Sequence, residues 1–468
     1  MENIEIDVVP AQTVPENTEM APVSESVDKK DQSRSGHHNH HHHHHHHDGN
    51  HHSHHKSKRS KSKKRSPKSK LGKFLSKYKS VVVNSAVILL AFLSVFAIAY
   101  LGEMRYSALE DAYESSQGGT DFTDSSFRVE VSLFDKEVTL VSEAVAAYMK
   151  AESSVPVSQI RDTFQESADR LDVGAAVTIS YHVQGVPKGC TVQSVTLVVT
   201  DEENDSFVRN YTTNGDETSI SVKHLKTGTR YAFKLTFRLS SSLETSVTGT
   251  FRTAAGPRVL SIGGLVNVRD IGGWMTASGK MIRQGLLYRG SELDGAMEAS
   301  YRITPEGVSD MLTLLGLRSE LDLRTKENTP NAMDALGANV THKFYACQMY
   351  QGIFTEQGME AVKNVFSDLA KPETYPAYLH CTYGADRTGT ICYLLEALLG
   401  VSEEDLIRDY ELSGLVHAEL NRESLQQIAT RLDAYSGKNI QEKVVDYLIS
   451  IGVTADEINS IREIFLGT

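Results

Sequence analysis

The chain has 468 residues, 40% of them apolar, which at roughly 150 residues per domain allows about three folded units. Its net charge of −12 argues against a nucleic-acid binder, and four cysteines without close pairing do not suggest a disulfide framework. Composition shifts sharply along the chain and marks several distinct regions.

Residues 1–55 read as a disordered tail, polar, acidic and free of aromatics to residue 36, then histidine-rich. His37 to His55 holds fourteen of the nineteen histidines; such a run can bind divalent metals but has no fixed geometry for a catalytic metal site. Its place inside the chain argues against a simple terminal tag. Residues 56–80 form a polybasic segment, with twelve Lys/Arg and no acid between Lys56 and Lys79. Beside an apolar run, that charge suits anionic lipid headgroups better than nucleic acid.

Residues 81–101 are twenty-one uncharged residues, about 31 Å of helix at 1.5 Å per residue and enough to cross a bilayer. Basic residues before the run and Glu103, Glu110 and Asp111 after it predict a single-pass anchor, with a cytoplasmic N-terminus and an extracytoplasmic C-terminal part. Ala97-Ile98-Ala99 resembles a signal-peptide end, but the leading region is too long for one. Beyond the span, 51 acidic face 33 basic residues, a soluble acidic exterior.

Residues 102–172 read as a helical stalk, with Val138, Leu140, Val141, Ala144, Val145 and Tyr148 at helical intervals. Residues 173–255 change to alternation, as in Val177–Tyr181 and Val195–Val199, and predict a small β-sandwich. That module either binds a surface partner or is a spacer that holds the C-terminal region off the membrane.

Residues 256–468 carry the chemistry, in His380-Cys381-Thr382-Tyr383-Gly384-Ala385-Asp386-Arg387-Thr388-Gly389. Tyr378–His380 ends an apolar run that reads as a buried strand, and Thr388 to Leu399 reads as an apolar helix, so Cys381 lies at a strand-to-helix turn. A thiolate is the effective nucleophile, yet a free cysteine, with a pKa of about 8.5, is mostly protonated at neutral pH. Backbone N–H groups from Thr382 through Tyr383, Gly384 and Ala385 to Arg387, curled at a helix N-terminus, would cradle both thiolate and a phosphate. Gly384 permits the loop conformation, and the Arg387 fork can grip two phosphate oxygens. Thr388 offers a hydroxyl to the sulfur. Asp386 is the first choice of general acid; Asp322, in Leu321–Thr325, is the reserve, although an Asp-Arg pair there more simply braces a sheet. His380 reads as a support of the loop. Cys392 reads as packing, and Cys347 as a candidate partner for Cys381 in a protective disulfide.

His-Cys-x-x-Gly-x-x-Arg-Thr resembles the signature of the protein tyrosine phosphatase superfamily. Asn267–Gly273, Leu287–Ser291, Leu321–Thr325, Val401–Tyr410 and Gly452–Thr454 look like blocks of its bacterial tyrosine/serine phosphatase family, which carries Asp before the loop arginine. The resemblance spans about residues 256–468. It implies a mostly parallel sheet wrapped by helices, hydrolysis of phosphomonoesters with no metal or cofactor, and Asp386 as acid. Arg269 and Asp270 most simply form structural pairs at their Gly-Gly turn and read as supports of the site rather than as catalytic groups. Ala385 stands where many relatives have lysine, which weakens an inference of polyphosphorylated substrates. Leu225–Phe233 with Gly249–Thr253 resembles the late strands of a fibronectin type III module, with a tyrosine packed at the corner.

The combined expectation is a multidomain chain: one transmembrane helix, a helical stalk, a β-sandwich and an α/β cysteine-phosphatase domain. It would act on phosphotyrosine proteins or other phosphomonoesters. The alternatives are a lipid or sugar phosphatase of the same mechanism, and a surface adhesion protein with a vestigial phosphatase fold. A nucleophilic thiol in an oxidising compartment is a tension within this reading.

Overall fold

Alternating apolar residues build two facing sheets in the first half of the described chain. The structure, a computed structural model, describes residues 127–467 apart from 166–169, 327–328, 330–333, 418 and 421. The tail, the polybasic segment and the span therefore lie outside the described residues. Among those described, no helix is long and apolar enough to cross a membrane.

One sheet joins β1 (Arg128–Val131), β3 (Val177–Gln184) and β6 (Ser219–Val222). The other has the order β2 (Glu137–Val138), β8 (Glu244–Thr253), β7 (Arg230–Leu239), β4 (Val192–Asp201), β5 (Asn204–Asn214). Burial alternates along most of β3 and β4 and throughout β7, and Ile179, Val195, Leu197, Tyr231, Phe233, Leu235 and Phe237 form a common core as side chains alternate across a strand. The β-sandwich expected over 173–255 is present, and it recruits strands from outside that range.

Those strands correct the stalk. β1 pairs antiparallel with β3 and β2 pairs parallel with β8, so residues 128–138 belong to the sandwich. Two helices follow, α1 (Glu143–Lys150), capped by Ser142, and α2 (Val157–Phe164). The helical spacing of Ala144, Val145 and Tyr148 is real, but that stripe joins the core of the C-terminal domain. Tyr148 donates to Glu411 at 2.5 Å, and Arg408 donates to the Tyr148 and Ala151 carbonyls. An amphipathic helix is stable when its apolar stripe is buried, and here another domain buries it.

The C-terminal domain is a five-stranded sheet of order β12 (Thr341–Phe344), β11 (Ser319–Asp322), β13 (Ala377–His380), β10 (Leu287–Gly290), β9 (Arg269–Asp270). All neighbours are parallel except β9, which runs against β10. Strands β10, β11 and β13 are buried throughout, as a sheet covered on both faces requires. Leu287, Leu321 and Leu379 face a core shared with α3 (Glu356–Leu369), α4 (Asp386–Leu399), α5 (Glu403–Leu412), α6 (Arg422–Leu432), α7 (Ile440–Ser450) and α8 (Ala455–Leu466). Tyr288 and Tyr378 face the opposite way, against Leu260, Val268 and Met311. This is the mostly parallel, helix-wrapped α/β sheet expected.

The sandwich is docked on this domain. Arg258, buried against Asp270 at 2.8 Å, donates to the Leu225 and His224 carbonyls, and Gln284 exchanges hydrogen bonds with the Thr227 backbone. A buried arginine shared this way fixes the two parts to each other.

Candidate active site

Strand β13 ends at His380 and α4 begins at Asp386, so Cys381 to Ala385 span the gap as predicted. The chain turns tightly there because Gly384 takes φ +67° with its Cα against Gly290, where an added Cβ would lie 2.3 Å from the Gly290 carbonyl. Cys381 is 2% exposed, and no side chain caps α4. The first-turn N–H groups of that helix are left for an anion.

The loop carbonyls are all satisfied on the outside. Cys381 O lies 3.1 Å from His380 Nδ1, Thr382 O accepts from Glu292 N at 3.0 Å, and Ala385 O accepts from Gly389 N at 2.6 Å. Tyr383 O accepts from Asn267 Nδ2 at 3.2 Å and lies 3.1 Å from His417 Nε2, while Gly384 O accepts from Arg289 at 2.9 Å. With these five carbonyls held by other groups, the intervening N–H groups remain as the donors this turn can offer an anion. Arg387 donates to Thr382 Oγ1 at 3.3 Å. The buried Thr388 hydroxyl has no hydrogen-bond partner among the described residues, as a hydroxyl reserved for a ligand or the thiolate would be.

Behind the loop is a charged brace that sequence reasoning did not find as a unit. Asp409 on α5 bonds Arg269 Nε at 2.9 Å and Arg289 at 2.6 Å, all three side chains being buried. Arg269 also holds the Asn267 side chain at 2.5 Å and Ser413 Oγ at 3.1 Å. The expected supporting role of Arg269 is thus placed through Asn267, next to Tyr383 O. Asp270 is placed elsewhere: its carboxylate accepts from Arg258, Gly272 N and Gly285 N, a turn and ion pair away from the loop.

The two candidate acids separate by environment. Asp386 is half-buried and accepts a hydrogen bond from the Tyr350 hydroxyl, which lies 2.7 Å from the Tyr410 hydroxyl. Tyr350 has φ +52°, an uncommon conformation for a bulky residue, held by its N–H bond to Thr390 Oγ1 at 3.0 Å. Asp322 is fully buried and clamped by Arg324 through Nε and a 2.6 Å bond to Oδ2. Burial opposes its charge, but His380, His342 and Arg324 outweigh burial and hold the carboxyl well below the usual range. A carboxyl so held stays ionised as the partner of Arg324, which counts against Asp322 as a proton donor. We expect Tyr350→Phe to lower kcat roughly 10-fold with KM little changed, because it frees the acid without touching the phosphate cradle. Steady-state kinetics on an aryl phosphate measures it.

The cysteines other than Cys381 are unpaired: Cys190, Cys347 and Cys392 are all free thiols. Burial pushes Cys347 and Cys392 each up to about 12, so both are poor nucleophiles. Cys392 packs in the core as expected. The protective Cys347–Cys381 disulfide is not formed, although the two sulfurs are close enough to interact electrostatically.

Residues 260–467 match the tyrosine phosphatase family. A Cupriavidus necator protein named as a tyrosine-protein phosphatase is 28% identical over 201 residues, 37% of this chain and 70% of that protein. The tyrosine-protein phosphatase of Nostoc commune is 28% identical over 125 residues, 22% of this chain and 42% of that protein. The catalytic core of the PP-IP phosphatase Siw14 from S. cerevisiae shares 14% identity over 32% of this chain and 92% of that one, with a TM-score of 0.21.

Proposed function

We propose that the phosphatase domain formed by residues 260–467 is a protein tyrosine phosphatase working through a cysteinyl-phosphate intermediate. The observation that carries this reading is the donor ring: five loop carbonyls fixed outward around a buried cysteine, with Arg387 and Asp386 closing the same turn. The Cys381 thiolate attacks phosphorus, the bond from phosphorus to the leaving oxygen breaks, and Asp386 gives that oxygen its proton. Water then attacks the phosphocysteine, the S–P bond breaks, and Asp386 takes the proton from water. Arg387 and the loop N–H groups hold the three phosphoryl oxygens through both steps.

Preference for an aryl ester is supported by the rim. Cys381 lies at the foot of a loop whose Tyr383 is 41% exposed, and Tyr301 and His417 pack edge-on against that ring at 5.9 and 4.8 Å. An aromatic wall favours a phenyl ring over a short serine side chain. Ala385 is buried and apolar, which gives a polyphosphorylated substrate no extra cation. A lipid or sugar phosphatase of the same mechanism is the second reading.

The test is phosphate release from a phosphotyrosine peptide, a phosphoserine peptide and a phosphoinositide in parallel. The tyrosine reading expects the first to be fastest; a faster phosphoinositide would replace it. Asp386→Asn is expected to slow an alkyl or phenyl ester by about 10²–10⁴-fold and an activated nitrophenyl ester much less, since a good leaving group needs no proton. Equal losses on both would remove Asp386 from the acid role. A soluble fragment for such work should begin near residue 127 rather than 256, because α1 completes the core of the catalytic domain.

Residues 56–101 extend the proposal to a membrane-anchored enzyme, on the strength of twenty-one uncharged residues behind a basic flank. Protease protection of residues 127–467 in sealed cells or vesicles decides the side on which the domain lies. The sandwich is proposed as a fibronectin type III-like module. In support, Tyr231 is buried beyond the turn and its hydroxyl accepts from Lys226 N at 2.8 Å, the bond of a tyrosine corner.

A further inference from the structure

On the face of the catalytic sheet that carries Tyr378, four potential ligands meet across three adjacent parallel strands. Glu320 and Asp322 are two residues apart on β11 and point the same way; His342 is in register with Glu320 from β12, and His380 is in register with Asp322 from β13. One ligand atom from each lies within 4.8 Å of all the others. Glu320, Asp322 and His380 are at most 3% exposed, and the His342 side chain is 9% exposed.

Both imidazoles are oriented from behind. His380 Nδ1 lies 3.1 Å from the Cys381 carbonyl, an acceptor, so Nδ1 carries the proton. His342 Nδ1 lies 3.1 Å from the Asp334 carboxylate, with the same consequence. Each Nε2 is thereby left facing the centre, the arrangement by which an outer oxygen fixes a metal-binding histidine. His342 Nε2 is buried and makes no hydrogen bond of acceptable geometry among the described residues, although two carboxylates are near.

The separations suit a small tetrahedral ion. Glu320 Oε1 is 3.3 Å from His342 Nε2 and 3.0 Å from His380 Nε2, and Asp322 Oδ2 is 3.5 and 3.8 Å from the same two nitrogens. Four bonds of 2.0–2.2 Å in a tetrahedron place neighbouring ligand atoms about 3.3–3.6 Å apart, so the four separations above are near that edge and the wider pairs, within 4.8 Å, must close on the ion. Charge points the same way: Arg324 is the arginine at this cluster and already bonds Glu292 and Asp294 besides Asp322, so the four carboxylates call for more positive charge than it brings.

We infer that Glu320, Asp322, His342 and His380 form a structural site for a tetrahedral divalent cation of the zinc type. Two imidazoles and two carboxylates are an N2O2 set that zinc accepts, and four protein ligands leave no open position for catalysis. The ion clips edge strand β12 to β11 and β13. Through His380 it also anchors the Cys381 carbonyl where the phosphate loop begins. It enters past His342, the ligand on the sheet edge.

The test uses the full chain, stripped with a chelator and titrated with Co²⁺, beside His342→Gln and Glu320→Gln, which all keep the histidine-rich tract. The expected result is an intense visible spectrum of tetrahedral Co²⁺ that saturates at one equivalent, is displaced by Zn²⁺, and is lost in both variants. Dialysis against Zn²⁺ should leave the variants one equivalent short of the parent chain. Binding by the histidine tract gives a weak octahedral spectrum in all three chains. If the parent chain shows only that, the inference is overturned, whether or not the variants fold.

Discussion

Cys381→Ser is expected to reduce phosphate release by roughly 10⁴-fold or more while the chain stays folded, because an alkoxide does not form in a cradle suited to a thiolate. The cradle itself survives the change: the outward bonds of the loop come from His380, Glu292, Asn267, His417 and Arg289, none of which touches the sulfur by hydrogen bond. The variant should therefore still bind inorganic phosphate or a phosphotyrosine peptide, and the split between lost turnover and kept affinity is the informative readout. Rapid-quench labelling should trap phosphate on the parent enzyme and none on the variant. Turnover that persists without the thiol would remove the covalent mechanism.

Asp409→Asn is expected to be the most destabilising single change near the site, at about 3–5 kcal/mol, because it leaves two buried guanidinium groups without their shared anion. Arg269 and Arg289 are each no more than 2% exposed and converge on that one carboxylate. The functional effect follows from the same geometry, since Arg289 holds Gly384 O and Arg269 holds Asn267, which in turn holds Tyr383 O. Released carbonyls can turn inward and present negative oxygen to the phosphate. Urea unfolding measures the stability loss, and vanadate affinity measured at a temperature where the variant is folded isolates the effect on the cradle. Wild-type affinity in the folded variant would make the brace structural only.

The loop was legible in sequence because its chemistry is local. Cys381, Gly384, Asp386, Arg387 and Thr388 are neighbours in the chain, and one strand-to-helix turn brings their groups together. The sandwich was legible for a similar reason, since alternation along β3, β4 and β7 is a property of each strand alone. The stalk was misread because spacing records only that a face is apolar. Val138 spends its face in a strand beside β8, and Ala144, Val145 and Tyr148 spend theirs on the catalytic core.

What the sequence determined by itself is the proposed reaction centre: a thiol, a run of backbone amides and an arginine at fixed spacing, set at one strand-to-helix turn. Tertiary structure alone decided the surroundings of the two candidate carboxyls and what braces the loop. Tyr350 reaches Asp386 across 36 positions, and Asp409 reaches Arg289 across 120. Contacts of that range leave no periodicity in the chain. They exist because packing the helices onto the sheet buries charges, and buried charges must find each other to offset the cost of leaving water.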